Sequence, residues 1–337
     1  MARTLPPDLA RALLARGQRL AAQPRSTVSE TVAAVAALQA QDAGAAALGV
    51  RARRPGSTLA EVEAARFEER SVARTWVMRG TLHLIPAEDA RWMVALLGPI
   101  GLRKSARRIA ELGVGTEEVA AAVRAALADG PLTRRELADA VRRSVTLPDH
   151  PQVPAWLTGV VALRGEIIEG PADRFVLVDD WLPLGPGPSD PVVELARRHA
   201  HAHPPSAPED FAVWSGLPVR EARRAYGELG FEEVEVLGRA AYIPRGLEPA
   251  PPHVRLLPRF DSYLLGHRDR ALIMRPEHDR AVRPGGGILA ATLVVNGRIE
   301  GTWKLGRGGR PDVTTFAAPP DLSAEVDDVV RFRAREP

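Results

Sequence analysis

Residues 57–86, STLAEVEAARFEERSVARTWVMRGTLHLIP, decide the fold. Ser57-Thr58 offers an N-cap, acids fill the turn that follows, and 59–70 reads as a helix. Residues 73–78 and 81–85 then carry strand-forming side chains on either side of Arg79-Gly80, with Pro86 closing the run, the pattern of a two-stranded hairpin. Upstream, 9–20 has helical spacing, and so has 27–38, where Val28, Thr31, Val32, Val35 and Leu38 fall on one face. Three helices followed by a two-stranded wing describe a winged helix.

The pattern returns twice. Helices over 116–127, 133–143 and 154–163 precede strands at 166–169 and 175–178; beyond the Pro/Gly-rich stretch 182–191, helices over 191–203, 208–214 and 219–229 precede strands at 231–237 and 240–243. From Pro249 onward strand signals dominate, at 254–257, 262–266, 291–295 and 299–305, the last two joined by Asn296-Gly297, a pair suited to a tight hairpin turn. A helix over 322–332 closes the chain. We therefore expect an α+β protein of tandem winged-helix modules, three helix-turn-helix units with β-hairpin wings plus a C-terminal β-rich segment, divided at 1–86, 87–183, 184–248 and 249–337. Such modules bind nucleic acid by laying a helix in the major groove and a wing on the backbone. The 154–163 helix is almost wholly apolar and is expected inside. The 219–229 helix carries Arg220, Arg223 and Arg224 among Glu221 and Glu228, and reads either as a phosphate contact or as a solvated face.

Composition narrows the chemistry. The 337 residues include no cysteine, which removes disulfides, thiolate nucleophiles, iron–sulfur clusters and cysteine-held zinc. Net charge is only +3, yet Lys104 and Lys304 are the sole lysines and every other base is arginine, whose planar fork suits phosphate. High-GC coding produces the same bias. No apolar run is long enough to span a bilayer, and arginines interrupt the N-terminal segment, so we expect a cytoplasmic protein with no membrane partner. His199, His201 and His203 have ligand-like spacing, but near a helix end imidazoles complement the dipole, and no metal is expected. Gly285-Gly286-Gly287 lacks the Lys and Ser/Thr of a phosphate loop and reads as a connection. No cofactor is expected.

The 27–38 helix runs into Gln39-Ala40-Gln41-Asp42-Ala43-Gly44. On a regular helix two glutamines two apart point about 200° apart. Either this is a polar helix end exposing its amides, or the backbone leaves helical geometry here and both amides serve one pocket. Asp42 reads as the cap of the next turn or as a carboxylate for catalysis. Thr81 and His83 alternate on a strand and so share a side of the sheet, with Arg79 at the turn before them; they line a pocket, grip phosphate, or include a satisfied buried histidine. Arg259, Asp261, Tyr263, His267 and Arg268 either face a channel or form internal pairs. Arg307 and Arg310, in a glycine-rich stretch, read as a phosphate-contacting tip or a solvated loop.

Gln39-Ala40-Gln41, Arg79-Gly80-Thr81-Leu82-His83-Leu84, LLPRFDSYLLGHRDR at 256–270 and VNGRIEGTWK at 295–304 together resemble the AlkZ/YcaQ family of winged-helix DNA glycosylases, over essentially the whole chain. With glutamine at the second motif position, the chain is similar to the AlkZ side, where Gln-x-Gln stands in place of Gln-x-Asp. The resemblance implies a C-shaped array with a DNA-binding concave face, duplex DNA with alkylated purines as partner, and hydrolysis of the glycosidic bond of cationic alkylpurines, including crosslinked nucleotides. It implies Gln39 and Gln41 as catalytic amides and a DNA-contacting hairpin at Asn296-Gly297-Arg298, where an ordinary exposed turn is the alternative. A cationic base leaves as a neutral one without a general acid, so positioned amide oxygens suffice to orient water and face the developing positive charge. With no lysine expected beside the pocket, no Schiff base with the sugar should form, and the product should be an intact abasic strand. A monomer is expected. The alternatives are a non-enzymatic DNA-binding or regulatory protein on the same scaffold and a hydrolase of another nucleoside-like substrate.

Overall fold

The computed structural model describes residues 2–22, 24–111, 113, 115–318 and 320–334. It is an α+β chain that divides into two compact units, one of residues 1–63 and 192–337, the other of residues 64–191.

In the first unit an antiparallel sheet runs Val254–Leu257, Ala291–Val295, Arg298–Leu305 and Pro311–Thr315 in that spatial order. Its inner face meets the Pro7–Gly17 helix in a core that includes Leu14, Leu20, Leu257, Tyr263, Val294 and Ile299. The Asn296-Gly297 turn takes positive φ at both residues, 49° and 76°, as a tight hairpin requires. A smaller sheet pairs Arg3–Thr4 with Glu232–Val236, and that strand with Arg239–Ile243. Helices Pro191–Ala202, Pro208–Ser215 and Val219–Glu228 precede the last two of these strands.

The second unit holds the hairpin Val72–Trp76 and Leu82–Pro86, and a three-stranded sheet of Leu132–Thr133, Arg174–Leu177 and Ile167–Glu169. Helices Thr116–Leu127, Arg134–Val141 and Val153–Leu163 pack against that sheet through Val123, Leu137, Leu157 and Phe175. The Val153–Leu163 helix is buried along most of its length, as its apolar composition requires.

Several local readings change. The helix beginning at Val28 stops at Ala34 rather than Leu38, because Ala36 takes a left-handed φ of 65°. The stretch 262–266 is a 3-10 turn, Ser262–Leu264, and not a strand; the Asp261 carboxylate accepts the Tyr263 N–H at 2.8 Å and bends the chain. Helices Ala43–Arg53 and Ala90–Lys104 had no counterpart in the sequence reading. The first is buried on every side from Ala45 to Arg53 and so shows no apolar stripe; the second contains Pro99 and two glycines, which read as breakers. Pro311–Thr315 is likewise an unforeseen strand.

Candidate active site and nucleic-acid interface

Leu38–Gln39 is extended, and Asp42, also extended at φ −113° and ψ 114°, opens the Ala43–Arg53 helix. Ala40 is fully buried between half-buried Gln39 and exposed Gln41. Gln39 ends the Leu38–Gln39 strand and Gln41 lies in a bend, so the regular helix that would turn the two amides about 200° apart is not formed here. Asp42 is the N-cap: its Oδ1 accepts the Ala45 N–H at 2.9 Å.

Two buried arginines hold this segment in place. Arg53, fully buried, donates to both oxygens of Asp261 at 2.8 and 2.9 Å and to Gln18 Oε1 at 2.7 Å. Next to Asp261, the Ser262 hydroxyl donates to Ala37 O at 3.0 Å and accepts the Gln39 N–H at 3.3 Å, so the second motif grips the backbone of the first. Arg51 donates to Glu325 at 3.1 Å, to Asp328 at 3.2 Å and to the Leu256 carbonyl at 2.5 Å, fastening the Ser323–Arg333 helix to the one that follows the glutamines. Beside Asp42 opens a cleft of about 480 Å³, its lining including Leu48, Arg259, Trp303 and Lys304. Trp303 donates its indole N–H to Leu257 O at 2.7 Å, fixing the ring in that wall. Lys304 corrects the expectation that no lysine stands beside the pocket; it is exposed, 3.8 Å from Asp312 on the neighbouring strand.

The 259–268 cluster splits. Asp261 and Tyr263 are interior, with Asp261 in the arginine pair and the Tyr263 hydroxyl donating to Gly297 O at 2.6 Å, so they are not surface contacts for a duplex. Burial drives the Tyr263 hydroxyl far above its ordinary pKa, and it stays a neutral donor. Half-buried His267 has Nε2 3.0 Å from Pro205 O. Arg259 and Arg268 are exposed, the first with its guanidinium 5.0 Å from the centre of the Phe260 ring.

The Asn296-Gly297-Arg298 turn is docked rather than projecting. A Cβ at Gly297 would sit 2.8 Å from Arg11 O, and Asn296 exchanges two 2.9 Å hydrogen bonds with His253, one from each backbone N–H. Arg298 is half-buried, and Arg11 is held below the usual arginine range first by its own burial and then by the Arg298 charge. Arg307 and Arg310 lie in the exposed turn after Leu305, and Arg310 pairs with Asp327 at 3.0 Å.

In the second unit Arg79 takes φ 58° at the hairpin turn, and the Thr81 hydroxyl donates to Met78 O at 3.0 Å. His83 is buried, Nδ1 2.9 Å from Thr81 O; desolvation, with help from the Arg79 charge, lowers its pKa to about 3. It is a neutral, satisfied imidazole, with none of its proton exchange near pH 7. His199 and His203 are buried too, His199 lying 2.9 Å from both the Tyr226 hydroxyl and Gly266 O. A Cβ at Gly266 would stand 1.9 Å from the His203 ring, which is why glycine is needed there.

Gln39 at the end of a short strand with Gln41 in the bend after it, an arginine-rich surface and the two buried-arginine clamps make up the setting in which the comparisons fall. The family model for AlkZ-like DNA glycosylases matches residues 32–334, and the chain belongs to that family, as an enzyme of the DNA glycosylase class. An interstrand DNA cross-link repair glycosylase from Streptomyces sahachiroi is 30% identical over 331 aligned residues spanning 86% of each chain. The solved structure of Streptomyces sahachiroi DNA glycosylase AlkZ is similar with a TM-score of 0.75, covering 98% of this chain and 97% of that one at 27% identity. No helix among the described residues is long and apolar enough to cross a membrane.

Proposed function

We propose that the protein hydrolyses the N-glycosidic bond of cationic N-alkylated purines in duplex DNA, of the N7-alkylguanine type, with Gln39 and Gln41 as the catalytic amides. The observation that carries this is the short non-helical link from the Leu38–Gln39 strand to the helix capped by Asp42, held at Gln39 by Ser262, with buried Ala40 between the two amides. Their carbonyl oxygens accept from one water and present negative dipole ends to the oxocarbenium-like sugar. Asp42 is engaged in capping, which favours the amides over the carboxylate as the reacting groups. The similarity to a relative named for interstrand cross-link repair extends the proposed substrates to crosslinked purines.

On this reading the helices and hairpins of 1–86, 87–183 and 184–248 act as winged-helix modules of a monomeric, cytoplasmic enzyme, and 249–337 also contacts DNA. Arg79, Thr81, Arg259, His267, Arg268, Arg298, Arg307 and Arg310 are its proposed pocket and phosphate contacts, while His83, Asp261 and Tyr263 hold those contacts in position from inside. Hydrolysis is monofunctional, so borohydride should trap no covalent complex; trapping in wild type that disappears in Lys304→Ala would show lyase chemistry instead.

Single-turnover excision and equilibrium binding on one N7-methylguanine duplex test the amide pair. Gln39→Ala and Gln41→Ala should each slow base release by roughly 10²-fold with duplex affinity nearly unchanged, while Gln41→Asp keeps appreciable activity and Asp42→Asn matters less. If Asp42→Asn abolishes excision and Gln41→Ala matches wild type, the carboxylate is the catalyst and the amide mechanism is wrong.

A further inference from the structure

The second unit carries a basic face that the chemistry above does not use. The Ala90–Lys104 helix ends at Ser105, whose N–H bonds to Gly101 O at 3.0 Å and Leu102 O at 3.1 Å, and the next helix, Ala106–Glu111, begins at once. Leu102 and Ile109 turn inward onto Val153, Trp156 and Val160. Arg103, Lys104, Arg107 and Arg108 are all exposed. Four cations thus stand within six residues.

Neighbouring carboxylates neutralise many of this protein's surface arginines, as Glu117 and Glu166 do for Arg124 and Arg164. Here the only ion pair among the described residues is Arg107 with Glu111 at 3.2 Å. The helix dipole accounts for three of the four: Arg103 and Lys104 sit in the last turn of one helix and Arg108 in the last turn of the next, where cations are favoured. It does not account for Arg107, in the first turn of the second helix, where the same dipole disfavours a cation. An exposed run of four cations, three of them arginine and only Arg107 ion-paired among the described residues, matches an array of phosphates, each of which a guanidinium fork can hold through two hydrogen bonds.

We propose that residues 103–108 form a docking surface for the phosphate backbone of duplex DNA. It positions the protein on the duplex without reading sequence. It stands independently of the glutamine mechanism, since its readout is binding and not base release.

The test is equilibrium binding of an undamaged duplex by the full chain carrying Arg103→Gln, Lys104→Gln, Arg107→Gln and Arg108→Gln, titrated from about 50 to 200 mM salt. Every cation that neutralises a phosphate should, on removal, flatten the slope of log affinity against log salt by about 0.9, so the combined variant should lose roughly 2 to 4 of slope and at least about tenfold in affinity at the lowest salt. A control with Arg197→Gln and Arg283→Gln removes two exposed arginines that have carboxylate partners and should keep the wild-type slope. If thermal unfolding shows the fourfold variant to be misfolded, Lys104→Gln with Arg108→Gln decides, with an expected flattening of about 1 to 2. A wild-type slope in the folded variant overturns the proposal. An equal flattening in the control overturns it too, because net charge alone would then be the cause.

Discussion

The strand Arg298–Leu305 has a glycine turn at each end, and both turns place arginine beside glycine. At its start, Gly297 is pressed against Arg11, its carbonyl is held by Tyr263, and Asn296 is bonded to His253. At its far end, Gly308 and Gly309 have open space around them, and Arg307 is exposed with no ion pair among the described residues. The same residue types serve as an interior clasp in one place and as a surface tip in the other. What separates them is the element packed against each, which no local pattern encodes.

The clasp should answer to acid. Its support runs through the 261–266 segment to Gly266 and the buried histidines. His199 is neutral in the folded state, with its pKa lowered from 6.5 to about 4 first by desolvation, and His203 is lowered by the same cause. The unfolded chain therefore binds more protons as pH falls below 6.5, so stability is full above that value and is lost toward pH 4. The loss from His199 alone is expected at about 3 kcal/mol by pH 4, measured by denaturant titration across the range; a flat profile between pH 7 and 4 would break the clasp picture.

Gly297→Ala comes next. Its Cβ would meet backbone at 2.8 Å in a left-handed conformation, and we expect a destabilisation of about 2–3 kcal/mol in thermal or denaturant unfolding. A near-neutral result would mean the turn is free after all. At the other end Arg307→Ala should leave the unfolding midpoint alone and flatten the salt dependence of duplex binding by about 0.9; the opposite pattern, a stability loss with the salt slope intact, would reverse the assignment of the two turns. Gly308→Ala, at φ 74° with nothing nearby, should cost only about 1 kcal/mol, the smallest effect of the set.

Much of this was legible in the sequence. The helices and hairpins of 116–127, 208–229 and 231–243 follow from periodicity and turn residues, because each half-buried element shows its apolar face as a repeat. Asp42 was readable as the cap of the next turn, with a catalytic carboxylate as the alternative. The Ala43–Arg53 helix was not: buried on all sides, it carries Arg51 and Arg53 inward, and arginine reads as surface unless its partner is known. Those partners, Glu325, Asp328 and Asp261, lie more than 200 residues away.

By itself, then, the sequence determined the mixed α+β class, the cysteine-free chemistry and, through four short motifs, membership in a glycosylase family. Only the tertiary structure decided that the glutamines lie on a non-helical link between a short strand and a helix, that Asp261 and Ser262 clamp it, and that one glycine turn is buried while the other is exposed. Local propensity sets the conformation of a few residues at a time. Burial and ion pairing are set by what the rest of the chain brings alongside, and at Gly297 and Arg53 that came from opposite ends of the sequence.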